Sequence, residues 1–416
     1  MPNVLVVAYY FPPIGGIGSI RLKRFAELLP QSGWQPTVLA PRDTPHPSDP
    51  QLSFPEEHVV RSRSIELSRI GRTALAVRST GEGSADPTTP SLRGVLRRFA
   101  HRYVFFPDGQ IGWYPGAVRA GTAALRRERF DAIYSSSFPI TGHLVARTLA
   151  RRSGLPWVAE YRDPWSDALP HDHPYHRRAQ ALERAIAREA TTVVMPTPTW
   201  AAHYGSLWDT DIAVLPNGLD TKLPAGQTPE RPTLTHVGSY YPGEHDLTAL
   251  WQALAQLRER SGDRIPRIRF VGNLPDELRT EIAGWGLGDA LESTGFVSHE
   301  EAMRELTSAT MLIASGIHGD DPRRRGWVPA KVFEYLASGR PVLYMADPRT
   351  DAAKILSGHS GVHIVPPSDV GGALAAVQAG LEEPAQRRDV AHLTREAQAQ
   401  SLAEILGAAI RAPGSH

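Results

Sequence analysis

Cysteine is absent from the 416 residues and lysine is scarce. Without a thiol there is no disulfide, no thiolate nucleophile and no cysteine-ligated zinc. Lysine stands only at positions 23, 222, 331 and 354, so 41 of the 45 basic residues are arginine. Chemistry that needs an amine therefore has four candidates. Excess charge is missing too: the formal net charge is +1, which gives no general attraction to nucleic acid. Long apolar runs are lacking as well. The span 4–8 is apolar but has no basic leader and no small-residue cleavage site. It is far shorter than the roughly 20 residues that span a bilayer. The expectation is a cytoplasmic protein.

What is present is a regular alternation of short apolar runs with longer amphipathic stretches, the pattern of parallel βα units. Strands are expected near 4–8, 36–40, 131–135, 156–160, 192–195 and 212–215, then near 233–237, 268–271, 291–296, 310–314, 341–344 and 362–365. Leu22, Phe25, Ala26 and Leu29 fall at i, i+3, i+4 and i+7, a helical stripe. A chain this long exceeds what one core usually serves. The two series predict two doubly wound domains, residues 1–218 and 219–394, joined where Pro, Gly, Asn and Thr accumulate around 217–231. A last helix, somewhere in 383–412 and taken as about 395–416, has room to cross back onto the first domain. Residues 41–90 interrupt the pattern, and 79–90 read as a mobile loop.

The densest signal is the run from Val328 to Leu343. Pro329 is placed to open a helix and Gly339 to stop it, with Lys331 and Glu334 on the first turns and a strand from Pro341. A helix N-terminus offers free N–H groups and positive potential, which suit a diphosphate. Glu334, one turn further in, is suited to accept from a sugar or ribose diol. Just upstream, Arg323, Arg324 and Arg325 follow Asp320 and Asp321. They are either leaving-group stabilisers or a loop tip neutralised by the two aspartates.

The first strand runs into the loop Tyr9 to Gly18, with glycines at 15, 16 and 18. Glycines let a backbone approach a ligand closely, but a dinucleotide fingerprint would need glycine at position 21, where Arg21 stands. Tyr161 to Ser166, with Arg162 and Asp163, follows a strand, at the edge where open α/β sheets bind ligands. Arg162 and Asp163 either meet a substrate or pair with each other. His143 follows Ser135 to Pro139 at that same edge; a capping or surface role is the plain alternative. Asp209 and Asp211 read as a solvated turn. His171 and His173 lack a further ligand at helical spacing, so no metal is expected there. Residues 91–103 form an amphipathic basic helix. It either packs on its domain or touches anionic lipid or a phosphorylated acceptor.

These features together resemble the GT-B glycosyltransferases of the family 4 type. The likeness rests on the Phe11 to Gly18 loop, Arg162 to Trp165, Asn217 to Asp220, Gly238, Gly295 to Val297, and Pro329, Lys331, Glu334 and Tyr335. It implies an α/β fold with two Rossmann-like domains facing across a cleft, the donor on the C-terminal one and the acceptor mostly on the N-terminal one. Transfer with retention from a UDP- or GDP-type sugar follows, with no cofactor and no obligatory metal. The acceptor would be a small molecule or a lipid-linked saccharide, with peripheral membrane contact through 91–103 and a homodimer among the possible arrangements. Carried over, the donor side comprises Gly16, Gly18, Gly238, Ser239, Tyr240, His245, Phe296, Val297, Trp327, Val328, Pro329, Ala330, Lys331 and Glu334. The acceptor side comprises Tyr10, Ile14, Gly15, Asp108, His143, Arg162 and Asp163. The catalytic set is Lys331, Arg325, His143 and Asp163. Two positions depart from the family. A first glutamate expected eight residues before Glu334 is replaced by Gly326, and the Arg and Lys expected soon after Gly238 are missing from 239–246. A nucleotide-sugar epimerase and a non-catalytic nucleotide-binding partner are the competing readings.

Overall fold

The computed structural model describes residues 1–42, 44–49, 52–65, 106–170, 172–219, 223–317 and 319–412. The basic stretch 91–103, the loop 79–90, His171 and Asp220 lie outside the described residues. The chain forms two units: Met1–Pro196 with Tyr204–Leu215 and Ala399–His416, and Thr197–His203 with Pro216–Gln398. The chain thus enters the second unit briefly at 196/197, leaves it at 203/204, enters it again at 215/216 and returns at 398/399, within the helix Arg395–Arg411.

The first unit is built on seven parallel strands: β1 (Asn3–Val7), β2 (Gln35–Pro41), β3 (Val59–Ser62), β4 (Ala132–Ser136), β5 (Trp157–Glu160), β6 (Thr192–Met195) and β7 (Ile212–Val214). Their order across the sheet is β3-β2-β1-β4-β5-β6-β7. The second unit has six parallel strands: β8 (Thr233–Val237), β9 (Arg267–Val271), β10 (Leu291–Ser293), β11 (Met311–Ser315), β12 (Val342–Met345) and β13 (Val362–Val365), ordered β10-β9-β8-β11-β12-β13. Both orders reverse direction once, between β1 and β4 and between β8 and β11. In doubly wound sheets that reversal leaves a crevice at the carboxyl ends of the two strands.

The near-continuous apolar strands are explained by burial on both faces. Met311 and Ile313 of β11 pack in one cluster with Leu234, Ile268, Phe270 and Leu343. Leu312 and Ala314 point the other way and pack with Val237, Val271, Val342 and Tyr344. Each such fully buried side chain contributes about 1.5–3 kcal/mol, so the alternation fixes the register of the central strands. In the first unit Val4, Val6 and Ala8 share a core with Phe25, Leu402 and Leu406, which seats the end of the last helix in that unit.

Several boundaries differ from expectation. β3 was not anticipated: it is a four-residue edge strand with only Ser62 buried. β10 stops at Ser293 rather than near 296, because Gly295 turns the chain at φ 69°. The last helix starts at Arg395; a single 3-10 turn, Ala391–Leu393, precedes it. The helix expected from Pro329 spans Lys331–Ser338. Before it, Val332 N–H donates to Pro329 O and Phe333 N–H to Ala330 O, both 3.1 Å. These i+3 bonds make a tighter entering turn than an α-helix.

Candidate functional site

In the second unit β8 and β11 pair only through Leu234 with Met311 and Thr235 with Leu312. Beyond that the two strands are joined by side chains. Tyr335 Oη accepts from Val237 N (2.9 Å) and donates to Ile313 O (3.3 Å). His236 Nδ1 lies 3.2 Å from the same Ile313 O. Tyr335 sits on the helix Lys331–Ser338, so its hydroxyl hooks that helix to the strand reversal. Val332, Phe333 and Leu336, all buried, pack it in place. The result is that Lys331 projects to the carboxyl end of β8. Its Nζ is 3.1 Å from Ser239 O and 3.1 Å from His236 Nε2. Gly238 has φ 94° and passes beside it, its vacant Cβ direction only 3.7 Å from Lys331 Cε and Nζ. Burial pushes the Lys331 amine down to about 8, against the opposing pull of Glu334.

Glu334 lies three residues along the same helix, half-buried, and forms no hydrogen bond or ion pair among the described residues. Burial raises its carboxyl, partly offset by His299, Lys331 and Arg395. Ser239 is exposed, while Tyr240 and His245 are buried and lock residues 240–245: Tyr240 Oη donates to His245 O (3.0 Å) and Tyr241 N to His245 Nδ1 (3.1 Å). Trp327 stacks loosely on the His245 ring at 6.4 Å, and Val328 and Pro329 are buried beneath it, with Ala330 exposed. Phe296 stands almost wholly in solvent at 96% exposure, whereas Val297 packs on the core.

The arginine cluster divides. Arg323 is bound to Asp321, whose carboxyl its guanidinium holds at about 2. Asp320 pairs instead with Arg349, which also binds Asp347. Arg325 has its Nε buried with no acceptor among the described residues. Gly326, standing where a first glutamate was expected, is closed off: a Cβ there would lie 2.2 Å from Trp200 Cδ1, and the Trp200 indole donates to Arg323 O at 2.8 Å.

In the first unit the glycine loop is occupied by protein. A Cβ on Gly18 would come within 2.9 Å of Arg162 Nη1. Arg162 donates to Ser137 O and Phe138 O; Asp163 is exposed and accepts no hydrogen bond among the described residues. Gly16 caps the helix Ile17–Leu28 at φ 103°. Gly15 N–H donates to Pro47 O, and Ile14 bridges to Ser48. Tyr10 meets the rings of Tyr9 and His46 edge-on, both at 5.2 Å. Asp108 spends its carboxylate locally, accepting from Thr141 N (2.8 Å), Thr141 Oγ1 (2.6 Å) and Gln110 N (3.1 Å). His143 is fully buried. Trp157 Nε1 donates to Ser135 Oγ (2.8 Å), Ser135 Oγ lies 2.8 Å from His143 Nδ1, and burial drives the imidazole down to about 3. The ring is thus neutral and enclosed among Ser135, Trp157 and Tyr161.

Two groups of this unit escaped sequence reasoning. Arg21 and Glu160, both buried, form an ion pair at 2.6 Å, and Tyr134 Oη donates to the second Glu160 oxygen at 2.5 Å. Glu183 accepts from Trp165 N and Ser166 N, both 3.1 Å, and so pins the loop that carries Arg162 and Asp163. An arginine inside the apolar stripe near Leu22, and a glutamate ending an apolar strand, were the available signals. Among the described residues no three His, Asp or Glu side chains gather as metal ligands, and no helix is long and apolar enough to cross a membrane.

A family model described as Glycosyltransferase Family 4 matches residues 14–223, and one described as Glycosyl transferases group 1 matches residues 231–383. Among solved structures, the chain is similar to sucrose-phosphate synthase from Thermosynechococcus elongatus: 16% identity, TM-score 0.56, covering 99% of this chain and 96% of that one. It is also similar to HepE from Anabaena in complex with UDP: 14% identity, TM-score 0.58, covering 99% and 98%. For the lipopolysaccharide outer core galactosyltransferase WaaB in its apo form the values are 12%, 0.57, 97% and 99%. No curated protein sequence matches the chain. The likeness to these structures is one of fold, the GT-B architecture of two Rossmann-like units.

Proposed function

The chain belongs to glycosyltransferase family 4, and from that premise we propose that it moves a sugar, with retention, from a nucleoside diphosphate to an acceptor nucleophile. The observation that carries this reading is Lys331 Nζ, held at the carboxyl end of β8 beside Gly238, with the uncommitted Glu334 one turn along the same helix. A cation at a strand reversal suits a diphosphate, and Glu334 suits the ribose hydroxyls. A uridine nucleotide is the first choice of donor, GDP the second. The UDP of the Anabaena complex supports that order.

The chemical task is to stabilise charge on the departing diphosphate while the sugar gains oxocarbenium character. Fixed cations and dipoles do this with little reorganisation. Lys331 and the buried Nε of Arg325 supply the charge in this reading, and no metal is needed. The leaving phosphate oxygen takes the acceptor's proton on the same face, so no dedicated base is required and His143 has no such role. The acceptor, a small molecule or a lipid-linked saccharide, is assigned to the first unit, where Arg162 and the exposed Asp163 stand at a strand end.

Thermal shifts with UDP, GDP, ADP and TDP test the donor half. A nucleotide at a hundred times its Kd stabilises by about 2.7 kcal/mol, and UDP is expected to give the largest rise. If no nucleotide shifts the transition, the donor assignment fails. Glu334→Ala should weaken UDP in calorimetry; unchanged binding would remove the ribose role. The closed space at Gly326 favours one second reading, a nucleotide-binding partner without turnover. Sugar transfer by the purified chain with a competent acceptor rules that out.

A further inference from the structure

The place of Lys331 is dictated by a histidine 95 residues away in sequence. His236, the fourth residue of β8, is 1% exposed, with its ring against Phe270 at 5.2 Å and Tyr240 at 5.9 Å. Each ring nitrogen faces a carbonyl that can only accept, Nδ1 facing Ile313 O at 3.2 Å and Nε2 facing Ser239 O at 3.4 Å; the shorter contact at Nδ1, and the Lys331 amine beside Nε2, favour the proton on Nδ1. Nε2 then presents its lone pair. Lys331 Nζ lies 3.1 Å from that lone pair and 3.1 Å from Ser239 O, and the two acceptors are themselves 3.4 Å apart. Two acceptors in such proximity need a shared donor, and the ammonium is that donor. Protonating the imidazole as well would set two cations side by side in a dry place. Burial, Lys331 and His245 all oppose it, and the ring is held well below its ordinary value.

We propose that His236 is a positioning residue for Lys331: its Nε2 accepts from the ammonium and holds it at the carboxyl end of β8, where the diphosphate is received. This rests on the reading of Lys331 given above. The charged and titratable groups facing the pair are few. On the lysine's own helix they are Glu334 and the Tyr335 hydroxyl, which shares Ile313 O with His236. On 240–246 they are Tyr240 and His245, with Glu281 and Asp246 acting on Tyr240; His299 and Arg395 act on Glu334. The acceptor stabilises the charged amine that burial penalises. Removing it should therefore let the Lys331 pKa fall further.

With four lysines in the chain, reductive methylation with a 13C label resolves each one by NMR, and Lys331→Arg identifies the resonance of interest. His236→Phe keeps the ring and deletes the acceptor; the Lys331 titration should move down by about one pH unit, the scale of one charge-assisted hydrogen bond. His236→Gln restores an acceptor and should return it. Identical titrations in wild type and His236→Phe would overturn the proposal. Should the phenylalanine variant not fold, the 15N shifts of His236 in the wild type decide: an Nδ1–H tautomer is expected, and an Nε2–H tautomer overturns it. UDP binding separates positioning from mere structure. His236→Phe should weaken UDP about tenfold in the wild type and not at all in Lys331→Ala; equal losses in both backgrounds would refute the coupling. If the wild type binds no UDP, the donor reading fails while the lysine titration still judges His236.

Discussion

Two glycine turns close two strand reversals in this chain, and they are filled in opposite ways. In the first unit the turn after β1 is packed by the protein's own cations. Arg162 sits where a Gly18 side chain would grow, and Arg21 is sealed beneath against Glu160 and Tyr134. In the second unit the turn after β8 leaves ordinary contact distance at Gly238, and among the described residues its cation, Lys331, hydrogen-bonds to neutral acceptors, with Glu334 acting on it from one turn along the helix. A charge already neutralised by a buried carboxylate has nothing left for a ligand. A charge resting on a carbonyl and an imidazole does. Equivalent places in two similar sheets thus divide into a cation paired with a buried carboxylate and a cation on neutral acceptors, the one proposed to bind the donor.

The comparison breaks most visibly at Arg21. Arg21→Met leaves Glu160 buried and uncompensated, and stranding one partner of a buried pair costs about 3–5 kcal/mol. Thermal unfolding should show a strongly lowered first transition, and adding Glu160→Leu should recover much of it, with UDP affinity untouched throughout. A single variant as stable as the wild type would deny the network its structural role. Lys331→Ala should do the reverse. Its folded state loses the donor shared by His236 Nε2 and Ser239 O but sheds a desolvated cation, so stability should change far less than in Arg21→Met, while turnover falls by about 10²–10³-fold, the usual cost of losing one transition-state charge partner. Near-normal turnover would take Lys331 out of the site.

A pH test sharpens the contrast further. Two backbone N–H groups favour the Glu183 carboxylate, yet burial outweighs them and lifts it to about 7. Between its ordinary value of 4.5 and about 7 the folded chain therefore holds a proton that the unfolded chain has released. Stability falls as pH rises through that window and then stays low, by up to about 3 kcal/mol. Glu183→Gln should flatten this slope, read as the difference in melting temperature between pH 5 and pH 8. A slope equal to the wild type's would show that Glu183 does not titrate there.

Strands buried on both faces were legible in the sequence because their apolar runs are continuous; β11, from Met311 to Ser315, is buried at every residue. β3 was not, since an edge strand with one buried residue leaves little pattern. The helix carrying Lys331 was visible from its proline and glycine, but its start was two residues late because the i+3 bonds at Pro329 and Ala330 form before the α-helix does. Lys331 and Glu334 were readable as a motif on one helix face. Their neighbours were not. His236 lies in Thr-Leu-Thr-His-Val, which reads as core strand, and Arg21 meets Glu160 across 139 positions. Pairings of that kind are set by sheet order, and no local pattern encodes them.

The smallest expected effect falls on Phe296, the large apolar side chain left most in water among the described residues of the second unit. At 96% exposure it adds nothing to the core, unlike its neighbour Val297. An aromatic face held out by a glycine turn is suited to stacking on a base, worth about 1–3 kcal/mol where measured by alanine substitution. Here the ring has no opposing wall, so the lower end applies: Phe296→Ala should weaken UDP about fivefold, near 1 kcal/mol. The melting temperature should not change. The loss should be larger for GDP, whose purine offers more surface, and absent for uridine-free inorganic pyrophosphate. If pyrophosphate binding falls as much as UDP binding, Phe296 acts on the turn and not on the base, and the division between a phosphate cation and a base platform in this unit is wrong.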